Sequence, residues 1–199
     1  LRMKNPEFRS QKGGETRRFP FHPLSSILYF LLLSAFILQP SSFLHAAPVQ
    51  ATVKSVTGKV EFAAPASAKF SALMVGQNLD IGSTIRTGKD GVAIVLAVPG
   101  AAIRVGPDTR LVLNEMDFAK NGQKVASRKA LIELKSGTIS ALIDKNDPET
   151  TDFKIKTPQG IAAARGTFYA VTVEGDQAYV AVKEGQVGLQ KKAEGEKED

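Results

Sequence analysis

Carboxylates are the groups of this chain best able to run acid–base chemistry. The candidates are Asp80, Asp108, Glu115, Asp117, Glu133, Asp144 and Asp152. Two such groups flanking a glycosidic bond can hydrolyse it, one as acid and one as base or nucleophile. Other catalytic types are removed by composition. The chain has no cysteine, hence no thiolate nucleophile and no thiolate metal site. Its two histidines, His22 and His45, flank an apolar run near the amino terminus. If that segment is removed, no imidazole remains as general base, triad member or zinc ligand. Asp144, Asp147 and Glu149 share the polar stretch DKNDPET. Their oxygens suit Ca²⁺, but the glycine and spacing of a dedicated calcium loop are missing. A solvated loop is the expectation there, with no metal and no cofactor. Asp108 follows Gly106-Pro107, where its side chain can bond the following backbone. Tryptophan is absent and the other aromatics are scattered, which weakens a sugar-stacking platform.

A second stretch asks for a role. Residues 157–171 read TPQGIAAARGTFYAV, small and apolar except for Arg165. Thr157, Pro158 and Gly160 form a turn: proline fixes φ and glycine accepts unusual dihedrals. IAAA is expected to be a narrow strand able to approach a neighbour closely. Gly166 is expected to break or bulge that strand. Arg165 is expected to bond backbone carbonyls or a carboxylate at the bend, with Thr167 completing the motif. The rival reading makes Arg165 a contact for a carboxylate- or phosphate-bearing ligand.

The elements around these residues have a period of two. TVKSV, KVEF, IVLAV, AIRV, RLVL, ALIEL, TISALI, FKIK, YAVTV, AYVAV and QVGL are short, rich in Val, Ile, Leu and Phe, and mostly alternating. Between them stand turn signals: TG, VGQN, TGKDG, VPG, VGPD, KNG, KSG, DKNDP, TPQG, EGD and KEG. This pattern predicts an all-β domain over 51–190. Its form is a compact roll or sandwich, or a solenoid-like stack of short strands joined by Gly, Pro and Asp turns. SAKFSALMVG is the best helical candidate and equally a loop leading into a strand. DFAKNGQKVASR (117–128) reads as a longer, mobile loop. VTGKVEF, LKSGTISAL and VKEGQVGL echo one another, with a glycine two positions before Val or Ile. Their unequal spacing excludes a strict repeat, and a recurring turn that starts a strand accounts for them. The charged stretch 191–199 has almost no apolar residue and is expected to be disordered.

The first 46 residues read as a signal peptide. Arg17 and Arg18 precede LSSILYFLLLSAFIL, and QPSSFLHAAP follows. That is a basic region, an apolar core and a small-residue exit. Cleavage after Ala46 is expected, which leaves no stable membrane span. The apolar run is shorter than the ~20 residues a comfortable bilayer crossing needs. The formal net charge of +6 is unevenly placed. Residues 1–46 carry +4 of it, and the remainder only +2. Nucleic-acid binding wants a basic patch on the folded domain, so nucleic acid is not an expected partner.

The words VTGKVEF, LMVGQNLDIGSTIRTGKDGVAIVL, IRVGPDTRLVL, LIELKSGTISA, FKIKTPQGIAAARGTFYAV and VAVKEGQVGL together resemble the FecR-type periplasmic domain. They cover nearly all of 53–190. The resemblance implies an exported β-rich domain. In the best-known members that domain relays a signal from an outer-membrane receptor across the inner membrane to a sigma factor. About twenty polar residues precede the apolar run here, too few for the folded anti-sigma segment of those regulators. The expectation is a non-enzymatic, signalling-associated interaction domain in the bacterial cell envelope, periplasmic or extracellular, with an envelope or surface protein as partner. Alternatives are a cell-wall or polysaccharide binding module and a carboxylate-dependent hydrolase.

Overall fold

The computed structural model describes residues 49–146 and 148–192. The signal-peptide expectation for 1–46 lies outside the described residues, as do Asp147 and residues 193–199 of the expected charged tail. The described residues form one compact unit.

Among the described residues fourteen strands follow in chain order. They are β1 (Ala51–Thr57), β2 (Val60–Ala63), β3 (Ser71–Ala72), β4 (Asn78–Leu79), β5 (Thr84–Thr87), β6 (Val92–Val98) and β7 (Ala101–Val105). Then come β8 (Arg110–Asn121), β9 (Lys124–Ile143), β10 (Thr151–Thr157), β11 (Gly160–Ala164), β12 (Phe168–Glu174), β13 (Gln177–Glu184) and β14 (Val187–Lys191). A single 3₁₀ turn at Pro148–Thr150 precedes β10. The helical candidate SAKFSALMVG is instead a loop carrying the two-residue β3. Among the described residues no helix is long and apolar enough to cross a membrane.

The 20-residue β9 organises the rest. Its first half pairs antiparallel with β8 and parallel with β10; its second half pairs antiparallel with β7 and with β12. Two sheets therefore share this strand. One runs β4-β1-β6-β7-β9-β12-β13, the other β3-β2-β5-β8-β9-β10-β11-β14. Together they make a curled, mostly antiparallel sheet in the form of a half-barrel. This is the roll of the sequence expectation rather than a solenoid, because the strands pair, all but β9 with β10 antiparallel, in two sheets that share β9 instead of stacking in successive coils.

Two turn assignments are corrected. KSG was expected to separate ALIEL from TISALI, yet both lie in β9. Gly137, at φ +85°, bends the strand from one sheet into the other without ending it. The expected loop 117–128 is mostly strand. Asp117 to Asn121 pair with Lys129 to Lys124 around the two-residue turn Gly122-Gln123. Most of its side chains are polar because this arm of the hairpin stands in solvent, so polarity concealed its alternation.

The alternation along each strand fills one core. Ile132, Leu134, Ile139 and Ala141 of β9 are fully buried, as are Ile85, Val95, Ile103, Leu111, Leu113, Ile155 and Val171 from both sheets. Each large side chain so buried contributes roughly 1.5–3 kcal/mol. No disulfide is available to help, so this core and the strand ladders hold the domain.

Candidate functional site

The motif of residues 157–167 divides between the two ends of β11. At one end Thr157 closes the turn. Its hydroxyl donates to the Gly160 carbonyl at 3.1 Å and accepts from the amides of Gln159 and Gly160, each at 3.2 Å. Pro158 is exposed at the tip. A β-carbon on Gly160 would collide with the Gln190 carbonyl oxygen of β14, so glycine here permits close strand approach. The other end lies roughly 16 Å away along an extended strand. There Gly166 turns the chain out of one sheet and into the other at φ +62°, and a β-carbon on it would stand 3.1 Å from Lys145 Cα. Thr167 is buried and its carbonyl accepts from the Ile143 amide at 3.0 Å. The Thr167 hydroxyl oxygen is buried with no hydrogen-bond partner among the described residues.

Arg165 does not hold this bend. The alternation that buries Ala162 and Ala164 turns Ala163 and Arg165 to the outer face, where Arg165 is exposed. It makes no hydrogen bond or ion pair among the described residues, so the expected bond to a carbonyl or carboxylate is not formed. Instead Arg165 lines a shallow groove of about 660 Å³ on the outside of the second sheet. Lys129, Glu149, Asp152, Lys154, Gln186 and Gly188 line it too. Lys154 is paired with Asp152 at 2.8 Å, which leaves Arg165 and Lys129 as its cations without an ion pair among the described residues. Sequence reasoning singled out Arg165 but missed Lys129 and Gln186. Lys129 reaches the groove through the β9–β10 register, which sets it opposite Asp152.

The words that carried the family resemblance meet at corners. Thr109 stands at the centre of one. Its hydroxyl donates to the Pro107 carbonyl at 2.9 Å and accepts from the Thr138 amide at 2.9 Å. Its own amide donates to the Thr87 hydroxyl at 2.9 Å, and that hydroxyl donates to the Gly106 carbonyl at 2.7 Å. IRTG, VGPDT and KSGT are thereby tied into one knot around the buried Thr109. The echoed glycines have one shared geometry: Gly58, Gly137 and Gly185 have φ of +65°, +85° and +86°. Each admits another segment where a β-carbon would stand: the Asp90 carbonyl, Thr109 and the Thr167 methyl respectively.

The carboxylates are dispersed, and several of the candidates are engaged. Asp80 accepts from Gln50 at 2.7 Å, Asp117 from Ser127 at 2.7 Å, and Asp144 from the Asn146 amide at 2.9 Å. Glu133 accepts from Lys135 at 2.7 Å and Asn114 at 3.2 Å. Burial pushes its pKa up, but the Lys135 and Asn114 hydrogen bonds and the Lys156 charge outweigh that and leave it lowered. Hydrogen bonds from Arg86 and Lys145 likewise lower Glu61 and Glu184. A general acid needs a raised pKa, and every shifted carboxylate among the described residues moves the other way.

The margins of the sheets are unequal. On one side both end in two-residue strands, β3 and β4; on the other they end in β13 and β14, of eight and five residues. Tyr179, Val182 and Leu189 are exposed along that longer margin.

A family model described as FecR protein matches residues 83–188, just over half of the chain. No curated protein and no solved structure matches it.

Proposed function

The chain belongs to the FecR family, and from that membership we propose that it is a non-enzymatic, signalling-associated interaction domain of the bacterial cell envelope. The observation that carries this reading is the family match over 83–188, which spans the threonine knot, β9 and the Arg165 corner. The FecR domain is a regulatory domain, typically periplasmic, of sigma-factor regulators. Its partner is another envelope or surface protein. The groove of mixed charge beside Arg165 and the long sheet margin supply two surfaces for such a contact.

The groove favours a second reading. Arg165 and Lys129 suit a carboxylate- or phosphate-bearing chain, as an anionic cell-wall polymer would be. Photo-crosslinking in living cells separates the two. A crosslinker placed at Arg165 or Tyr179 is expected to give a discrete protein adduct. Adducts with wall polymer alone, together with binding of the purified protein to isolated cell wall, would overturn the first reading in favour of the second. Export has its own test. Amino-terminal sequencing of protein from the host envelope is expected to read from near Ala47. Recovery of intact residues 1–46 on membrane-bound protein would show an anchor instead.

A further inference from the structure

Soluble proteins blunt sheet edges with very short strands, charges, proline or bulges. The β3 and β4 margins obey this rule by length. β13 does not. It runs for eight residues, pairs only with β12 among the described residues, and from Gln177 to Val182 carries neither charge nor proline. Its irregularity lies at the far end, opposite Phe168 and Tyr169. The tight turn Gly175-Asp176 makes Glu174 and Gln177 the closing pair. Alternation along an antiparallel ladder then directs the N–H and C=O groups of Ala178, Val180 and Val182 to the open side. Tyr179 and Val182 are 53% and 46% exposed on this strand.

Charge is placed unevenly along the same edge. The turn end carries Glu174 and Asp176, both exposed and in no ion pair among the described residues. The other end carries Lys183, whose Nζ lies 5.1 Å from the Phe168 ring centroid. Glu184, beside it, is already held by Lys145.

We propose that β13 is a self-association edge: a second copy of this chain adds its own β13 antiparallel, across a two-fold axis at Val180. In that register Val180 faces Val180, and Ala178 faces Val182 of the second copy. Every open N–H and C=O from Ala178 to Val182 then finds a partner. The Lys183 end of each copy meets the Glu174–Asp176 turn of the other. Parallel addition would set lysine against lysine and acidic turn against acidic turn, which disfavours it. The charge distribution therefore selects both the second copy and its direction. A strand-to-strand contact buries less than the ~1,000 Å² of a firm interface, so the dimer is weak and concentration-dependent.

Sedimentation velocity tests this on the full chain purified from its host, from micromolar to millimolar concentration. A reversible monomer–dimer equilibrium that weakens with added salt is expected. Val180→Pro removes an N–H that points away from β12 but also packing of the Val180 side chain against the core, so a folded protein with a modestly lower melting temperature and no dimer is expected. Lys183→Glu should weaken the dimer about tenfold, and Asp176→Lys in the same chain should restore it. The charge pair decides the matter even if Val180→Pro fails to fold. A monomer at every concentration overturns the proposal. So does a dimer that survives Val180→Pro in a folded protein, or one indifferent to Lys183→Glu.

Discussion

The methyl group of Thr167 occupies the position that a β-carbon on Gly185 would need. Gly185 also sits at φ +86°, where an L-residue is strained. The start of β14 and the corner between β11 and β12 are thus fitted to each other. Gly185→Ala is expected to destabilise the domain by more than ~1 kcal/mol, from both strain and collision. Gly166→Val should cost at least as much, because φ +62° excludes a branched side chain and Lys145 stands close. Thermal melts of both variants check this. Either one melting with the wild-type protein would contradict the fit.

Arg165→Ala should leave the melting temperature within the scatter of surface substitutions, about ±0.5 kcal/mol. The side chain is exposed and makes no bond that the fold relies on. If the groove receives an anionic partner, the same variant loses affinity for it. A melt and a binding measurement on one protein separate the two effects. A clear drop in melting temperature would return Arg165 to the structural role read from the sequence.

Thr109→Val keeps the shape of the side chain and deletes its hydroxyl. The Thr138 amide and the Pro107 carbonyl then lose a partner in a part-buried corner. The expected loss is about 1–3 kcal/mol, the cost of leaving buried polar groups unpaired. Thr109→Ser retains the hydroxyl and should recover most of it. Chemical denaturation of the pair measures the difference, and equal stability of Val and Ser would remove the knot from the account.

Tyr169 buries its hydroxyl without a hydrogen-bond partner among the described residues. Burial raises its pKa far above the ordinary value of 10.0. The native phenol therefore stays neutral while the unfolded one ionises. Its contribution to stability is complete below pH 10 and is lost as pH rises beyond it. Tyr169→Phe removes an unpaired polar atom at nearly constant shape, so stability near neutrality should be unchanged or higher by up to about 1 kcal/mol. The variant should also lose less stability than wild type above pH 10. Denaturant melts at neutral and alkaline pH check both statements, and a destabilised Phe variant would reveal a partner for the hydroxyl.

Much of this architecture was legible in the chain itself. Alternating β-branched residues between Gly, Pro and Asp turns required strands, and the lack of histidine and cysteine in 51–190 narrowed the chemistry. Gly166 and Gly185 could be flagged as special because glycine is the residue that accepts left-handed backbone. What the chain could not reveal was which segments met. β9 reads locally as two strands parted by KSG; only pairing with β7, β8, β10 and β12 makes it one. Arg165 reads as the ornament of a bend; only the in–out parity of β11, set by burial of Ala162 and Ala164, turns it to the outer groove. The open side of β13 has no local signature at all, since an edge is defined by the neighbour that is missing. Local preference acts within a few residues, whereas pairing, parity and edges are decided by contacts between segments far apart in sequence, and those exist only once the chain has folded.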